Sequence, residues 1–266
     1  MKIAIYYFNG TGNTAWVVQR LAAALTAHGN AVTARSCETL TAPVALRACD
    51  VLGLAFPTAS SYAPAPFRAW LAALPECQAL PLFVVTTASY AAGDTAWYAA
   101  QPLKARGYAP FLLANVLMPN NFYIPPMDFL PVTPPQRIPK KLEKAQRKIN
   151  RLAELIHTQT PHVEGAGLFG RLLGIQQRWS RDTFEKRLFK PFFADETCTR
   201  CGWCVQHCPV DNIVLDEDGL HFGAQCCPCM RCYSFCPKQA IQATRKTRNA
   251  KRYRRYAGPE GKRYAP

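Results

Sequence analysis

The stretch that most constrains this 266-residue chain runs from Cys198 to Pro237. It reads C-T-R-C-G-W-C-V-Q-H-C-P and then, after a spacer, C-C-P-C-M-R-C-Y-S-F-C-P. Each half has the form C-x2-C-x2-C-x3-C-P. Thiolate is the ligand of soft metal centres, and a cysteine at every third position, twice over, winds a short loop of chain round one.

A cubane iron–sulfur cluster takes four thiolates, one for each iron, and this run resembles that of bacterial two-cluster ferredoxins. Three cysteines at x2 intervals wrap one cluster. The fourth lies too far along to close on the same one and crosses to the other. One cluster is therefore expected on Cys198, Cys201, Cys204 and Cys236, the other on Cys208, Cys226, Cys229 and Cys232. Pro209 and Pro237 fix the backbone as it leaves the crossing cysteines. A pair of zinc sites is the rival reading, since C-x2-C also binds zinc. A tetrahedral zinc site has no use for a third cysteine at the same interval and a fourth before proline. Cys227 falls out of step with the x2 interval and reads as a packed thiol.

Nine of the twelve cysteines lie between 198 and 236, so a disulfide scaffold is not indicated. Thiolate sites are assembled from reduced cysteines, which points to the cytoplasm. The N-terminal apolar run stops at Asn9-Gly10 without a cleavage site, so no signal peptide is expected. No stretch nears eighteen apolar residues, so no membrane-spanning helix is expected. The net charge of +15 is uneven. Residues 136–191 hold thirteen Lys/Arg against five Asp/Glu, and 245–266 nine against one. The cysteine region 192–244 has three against six.

Lys2–Phe8 is a short apolar run that reads as a buried parallel strand. It is followed by N-G-T-G-N-T (Asn9, Gly10, Thr11, Gly12, Asn13, Thr14) and then by a helical pattern with apolar residues at 17, 18, 21, 22 and 25. Strand, small polar loop and helix N-terminus together make an anion site. No lysine stands in the loop, so a triphosphate P-loop is not indicated. The spacing is not G-x-G-x-x-G either, and the dinucleotide fingerprint fails. A neutral, hydroxyl-rich loop suits a monophosphate; an ordinary helix cap is the other reading.

Further strands are expected at Ala31–Ser36, Asp50–Phe56, Leu80–Thr87 and Pro110–Leu117, with helices at Phe67–Leu74 and Gly93–Arg106. The alternation predicts an α/β doubly wound parallel sheet of five strands. Ligands of such sheets bind outside the carboxyl ends of the strands, at the switch point in strand order. Loops Asn9–Thr14, Pro57–Pro66 and Thr87–Gly93 leave three of those ends.

Y-F-N-G-T-G-N-T resembles the FMN phosphate loop of flavodoxins, with Asn9 in place of the more usual hydroxyl. The resemblance implies that the second and third loops hold the isoalloxazine ring, through Pro57, Thr58 and Tyr62 and through Thr87, Ser89, Tyr90 and Gly93. Tyr62 and Tyr90 are the two candidates to stack on it. With the cysteine runs, the chain resembles the flavodoxin–ferredoxin fusions called EFR-type ferredoxins. The implied layout is a flavodoxin-like FMN domain (1–160), a basic amphipathic linker (161–190), a small α+β two-cluster ferredoxin domain (191–244) and a basic tail (245–266).

Met118–Pro139 holds seven prolines and cannot be a regular helix or central strand. It reads as a wrapped connector, or as a cover for the ring through Asn120, Asn121, Phe122 and Tyr123. Arg137–His157 is a helix with Leu142, Ala145, Ile149, Leu152, Leu155 and Ile156 on one face. Leu168–Phe189 mixes Leu168, Phe169, Leu172, Leu173, Trp179, Phe184 and Leu188 with basic residues. It is expected to pack the two domains together, ahead of the alternative of peripheral membrane contact. Ile213–Phe222 reads as a hairpin between the cluster loops. The tail R-K-T-R-N-A-K-R-Y-R-R-Y has three readings: a nucleic-acid arm, a disordered arm, or a segment docked on an acidic surface. That surface is a redox partner or the chain's own ferredoxin part. Nucleic acid is the least favoured.

These features predict an electron-transfer protein that passes electrons between FMN, two [4Fe-4S] clusters and redox partner proteins. Each cluster moves one electron, FMN takes two and returns them singly, and the chain supplies placement and tuning. No catalytic triad or carboxylate pair stands out. An FMN-dependent reductase of a small substrate, fed by the clusters, is the alternative. A nucleic-acid-binding protein with structural clusters is a lesser one.

Overall fold

The structure, a computed structural model, describes residues 1–39, 49–188 and 192–261, with the backbone alone for 182–188. Strands β1 (Lys2–Tyr7), β2 (Ala31–Ser36), β3 (Val51–Pro57), β4 (Leu80–Ala88), β5 (Tyr108–Leu117) and β6 (His162–Val163) form one sheet in the order β2-β1-β3-β4-β5-β6. Every pairing in it is parallel. The first five positions follow the flavodoxin-like order, with its switch point between β1 and β3. The sixth strand was not expected. Two residues are too short to carry a periodic signal, and the sheet thus extends past residue 160 into the expected linker.

Side-chain alternation splits the strands between two cores. Ile3, Ile5, Val51, Val85 and Leu112 pack against α1 (Asn13–Ala27) and α4 (Ile138–His157). Ala4, Tyr6, Leu52, Leu54 and Val84 pack toward α2 (Ala65–Ala72) and α3 (Thr95–Lys104) on the other face. Ala145, Ile149, Leu152, Ala153 and Ile156 are the buried stripe of α4, at the expected spacing.

Helix α5 (Leu168–Leu188) meets the sheet domain through its arginines rather than through its apolar residues. Its Arg178 makes a two-pronged pair with buried Asp94 (2.5 and 2.8 Å) and donates to the Ser61 carbonyl at 3.3 Å. Arg171 lies over Trp97 and Arg181 over Tyr62. The arginines thus face the sheet domain. Leu168, Phe169, Leu172, Ile175 and Trp179 face outward, Trp179 being 85% exposed. The side chains of Phe184 and Leu188 and the whole of Phe189 lie outside the described residues.

The C-terminal part holds α6 (Trp203–Gln206), α7 (Arg231–Phe235) and two small antiparallel sheets. One pairs β7 (Phe193–Ala194) with β10 (Ile241–Gln242); the other is the expected hairpin, β8 (Ile213–Leu215) and β9 (Leu220–Phe222). Its core of Phe192, Ile213, Met230, Tyr233 and Ile241 also takes in Ile124 from the proline-rich connector. In the other direction, Cys227 is part of the sheet domain's core, with Val210 and Cys229 packed on it. The two halves therefore share apolar packing.

The basic tail is folded as far as residue 261. Tyr253 and Tyr256 are buried. Tyr253 donates to Asp128 at 2.7 Å and Tyr256 donates to Asn13 Oδ1 at 2.7 Å. Arg248 pairs with Glu196, and Glu260 accepts from Trp16 and Arg20, each at 2.8 Å. These contacts spread over both halves of the chain: Asp128 lies in the connector, Asn13, Trp16 and Arg20 in α1, and Glu196 in the C-terminal part. The tyrosines that would have stacked on bases are inside the fold.

Candidate cofactor site

A cavity of about 540 Å³ opens at the carboxyl ends of β1, β3 and β4. One wall is Gly10, Thr11, Asn13 and Thr14 with Thr58, Thr87 and Ser89. The adjoining wall is the second cysteine run, Cys226 to Met230. Asn121, Phe122 and Met127 of the connector and Arg181 of α5 also line it. The cavity size is that of a cofactor pocket.

The loop before α1 is shaped from behind. Asn9 is buried, and its Oδ1 accepts the N–H groups of Gly12 (3.1 Å) and Ala15 (3.3 Å). It does not line the cavity; the residue expected to donate to a ligand instead holds the loop. Gly12 has φ of 105°, a left-handed conformation that only glycine adopts readily, and so turns the chain into the helix. Thr11 Oγ1 accepts from Asn121 at 2.6 Å, and the hydroxyls of Thr14 and Thr87 are 2.8 Å apart.

Gly10, Thr11, Asn13, Thr14, Pro57, Thr58, Thr87 and Ser89 are brought together on the cavity wall. Gly12, Tyr62, Tyr90 and Gly93 are not. Tyr62 sits among the guanidinium groups of Arg68 and Arg181 and edge-on to Tyr98. Tyr90 is half exposed, with Lys141 over its ring. Gly93 is packed beneath Gly174 of α5. Neither tyrosine presents its ring to the cavity, because arginines of α5 and a lysine of α4 engage them first. The aromatic side chains that do line it are Phe8 and Phe122. Of the connector residues weighed as a cover, Asn121 and Phe122 reach the cavity. Asn120 is buried and donates to the carbonyls of Phe122, Leu130 and Pro131, while Tyr123 packs on Tyr253.

Two smaller cavities, about 20 Å³ each, lie in the C-terminal part. Cys198, Cys201, Cys204 and Cys236 line one. Cys208, Cys226, Cys229 and Cys232 line the other, and Cys227 also borders it. Among the described residues no three His, Cys, Asp or Glu side chains gather closely enough to hold a single ion. Four sulfurs around a hollow suit a polynuclear cluster. The crossing cysteines are supported alike: Cys208 Sγ accepts the N–H of Asn212 and Cys236 Sγ that of Ala240, both at 3.3 Å. Burial pushes the thiols of Cys204 and Cys226 up, to about 11 and about 12. Cys229 is held down at about 7 by its hydrogen bond with Cys227, against the effect of burial.

FMN suits the larger cavity on two observations. The cavity sits at the switch point with hydroxyl groups on one wall, and Thr58 Oγ1 is buried there with no hydrogen-bond partner among the described residues. A phosphate or flavin oxygen would satisfy such an orphan.

One residue that the sequence did not single out joins the two walls. Arg231 is buried between Met230 and Cys232. Its Nη1 and Nη2 donate to the two carboxylate oxygens of Glu38 at 2.7 and 2.6 Å. Nε donates to the Gly10 carbonyl at 3.1 Å, Nη2 also to the Asn9 carbonyl, and Nη1 to the His207 carbonyl at 3.3 Å. An arginine inside a cysteine run, where the first run carries Trp203, was the only available signal.

Residues 191–214 match the family of 4Fe-4S binding domains. A 64-residue stretch is 34% identical to the pyruvate synthase subunit PorD of Thermotoga maritima, covering 23% of this chain and 64% of that subunit, just under two thirds of its length. Among solved structures, a flavodoxin from the domain Archaea is 14% identical with a TM-score of 0.42, over 59% of this chain and 99% of that one. A flavodoxin of Streptococcus pneumonia TIGR4 is also 14% identical, with a TM-score of 0.45, over 60% and 100%. By strand order the N-terminal domain is flavodoxin-like, and the C-terminal part is an iron–sulfur-binding ferredoxin-like region. Together they fit the expected layout, a flavodoxin-like sheet domain followed by a 4Fe-4S-binding region. No described helix is long and apolar enough to cross a membrane.

Proposed function

We propose that this chain passes electrons between FMN in the larger cavity and two [4Fe-4S] clusters, and from them to redox partner proteins. One cluster is assigned to Cys198, Cys201, Cys204 and Cys236, the other to Cys208, Cys226, Cys229 and Cys232. The observation that carries this reading is the shared wall: the phosphate loop and the second cysteine run line one cavity.

When bound, FMN supplies exchange between two-electron and one-electron steps, and the clusters supply one-electron transfer. The chain's part is placement. Gly10, Thr11, Asn13 and Thr14 bind the phosphate end by backbone and hydroxyl donors, aided by the α1 N-terminus. Thr58, Thr87 and Ser89 orient the ring by hydrogen bonds. Phe122 covers it in place of Tyr62 or Tyr90. Cys226 to Met230 close the wall against water. The first cysteine run, with Cys201 exposed, is the face offered to partners. Arg137, Lys140, Lys144, Arg147 and Arg151 stay exposed on or beside α4 and suit acidic partners. Eight ligand thiols that must be reduced suit the cytoplasm, where thiols are kept reduced.

Anaerobically purified protein tests this by its iron, sulfide and flavin content. Eight irons and one FMN per chain are expected. Zinc in place of iron, or no flavin, overturns the reading. Saturable reduction of one small molecule by the protein alone would favour a reductase.

A further inference from the structure

We infer that Arg231 and Glu38 form a latch that makes FMN binding depend on the second cluster; this rests on the cofactor assignment above. The argument starts with peptide geometry. A trans peptide is planar, with its N–H opposite its C=O. Arg231 takes the carbonyls of Asn9 and Gly10. The N–H groups of Gly10 and Thr11, on the far side of those same two peptides, are thereby turned away from Arg231, and both residues line the larger cavity. A phosphate loop works by presenting N–H groups to the anion, and a flipped peptide would present a carbonyl oxygen instead.

Arg231 is in turn placed by its neighbours. Cys229 and Cys232 are both assigned to the second cluster, and both border the same small cavity as Arg231. Main chain meets main chain here as well: a Cβ on Gly10 would lie 3.0 Å from the Cys229 carbonyl oxygen. Glu38, from just beyond β2, holds the guanidinium in plane with two charge-assisted bonds. With its sulfurs tied to a cluster, the run 229–232 fixes Arg231 and so the loop. With the sulfurs free, the run has only its short helix and the shared packing to hold it. Such coupling is reciprocal: FMN must strengthen retention of the second cluster by the factor by which the cluster tightens FMN.

Among the described residues, no arginine of the first run reaches the phosphate loop in this way. Each of its ligand cysteines has a counterpart 28 residues on, and Trp203 stands where Arg231 does. Trp203 stacks on His207 within its own half.

The experiment is an anaerobic titration of flavin-stripped protein with FMN, followed by quenching of flavin fluorescence. It compares the full chain, Cys208→Ser, Arg231→Gln and the double variant, with iron content measured for each. Cys208→Ser is expected to weaken FMN at least tenfold by loss of the second cluster. Arg231→Gln should weaken it similarly, and the double variant no further. Cys201→Ser should leave FMN affinity within twofold. Glu38→Gln, outside the cysteine run, guards against misfolding of the Arg231 variant. It should keep full iron content and shrink the dependence on the second cluster to less than threefold. Equal FMN affinity with and without the second cluster overturns the latch. So does a double variant whose loss is the product of the two single losses, which is what a merely structural arginine predicts. A wild-type chain that takes up no FMN defeats the cofactor assignment itself.

Discussion

The two cysteine runs share a spacing and differ in setting. Both begin their short helix after a residue with left-handed backbone, Gly202 (φ 74°) and Met230 (φ 64°). In both, the crossing cysteine accepts the N–H four residues on. The first run faces solvent, with Cys201 exposed, and its Trp203 packs on His207 and Phe235. The second is pressed against the sheet domain, with Cys227 in that domain's core and Arg231 across the boundary. A repeated ligand pattern thus serves two positions in space. The residues between the ligand cysteines, Cys227 and Arg231 among them, decide which run lies exposed and which lies against the sheet domain.

The largest test of this contrast removes one cluster at a time. Cys198→Ser and Cys226→Ser should each cut iron by about half, since each cluster takes four thiolates. Flavin should be lost with Cys226→Ser and kept with Cys198→Ser. Equal flavin content in the two purified variants would erase the distinction.

Next is stability. Arg231→Ala leaves Glu38, whose side chain is only 11% exposed, without its partner and should cost about 3–5 kcal/mol. Trp203→Ala, at a half-buried stacked ring, should cost about 1–2 kcal/mol. Anaerobic denaturation followed by circular dichroism ranks the two. A reversed order would mean that the boundary is weaker than the interior of the C-terminal part.

Glycines sharpen the comparison further. Gly10→Ala sets a Cβ 3.0 Å from the Cys229 carbonyl and should weaken FMN about tenfold, or about 1.4 kcal/mol. Gly202→Ala meets nothing within 4 Å but strains a left-handed residue, at about 1 kcal/mol of stability and no change in flavin. The smallest effect belongs to α5. Trp179→Ser, at an 85% exposed ring, should alter stability by less than about 0.5 kcal/mol. A larger loss would place Trp179 in a contact that the isolated chain does not show.

Local pattern alone determined a good deal. Strand–helix alternation predicted β1 to β5 and the helices between them, because apolar periodicity is imposed by which face is buried. Cysteine spacing set apart two groups of four, and the same two groups line the two small cavities. The N-G-T-G-N-T loop stood out because few contexts need two glycines and four hydroxyl or amide side chains at the start of a helix. Only the tertiary structure decided the rest. β6 pairs at two positions and has no period to read. Tyr62 and Tyr90 were equal candidates until α4 and α5, distant in sequence, engaged them. Tyr253, Tyr256 and Glu260 of the tail, like Arg231 and Glu38, act on partners 125 to 244 residues away. Such contacts depend on where two separately coded surfaces meet, and no neighbouring residue in the chain carries a trace of that meeting.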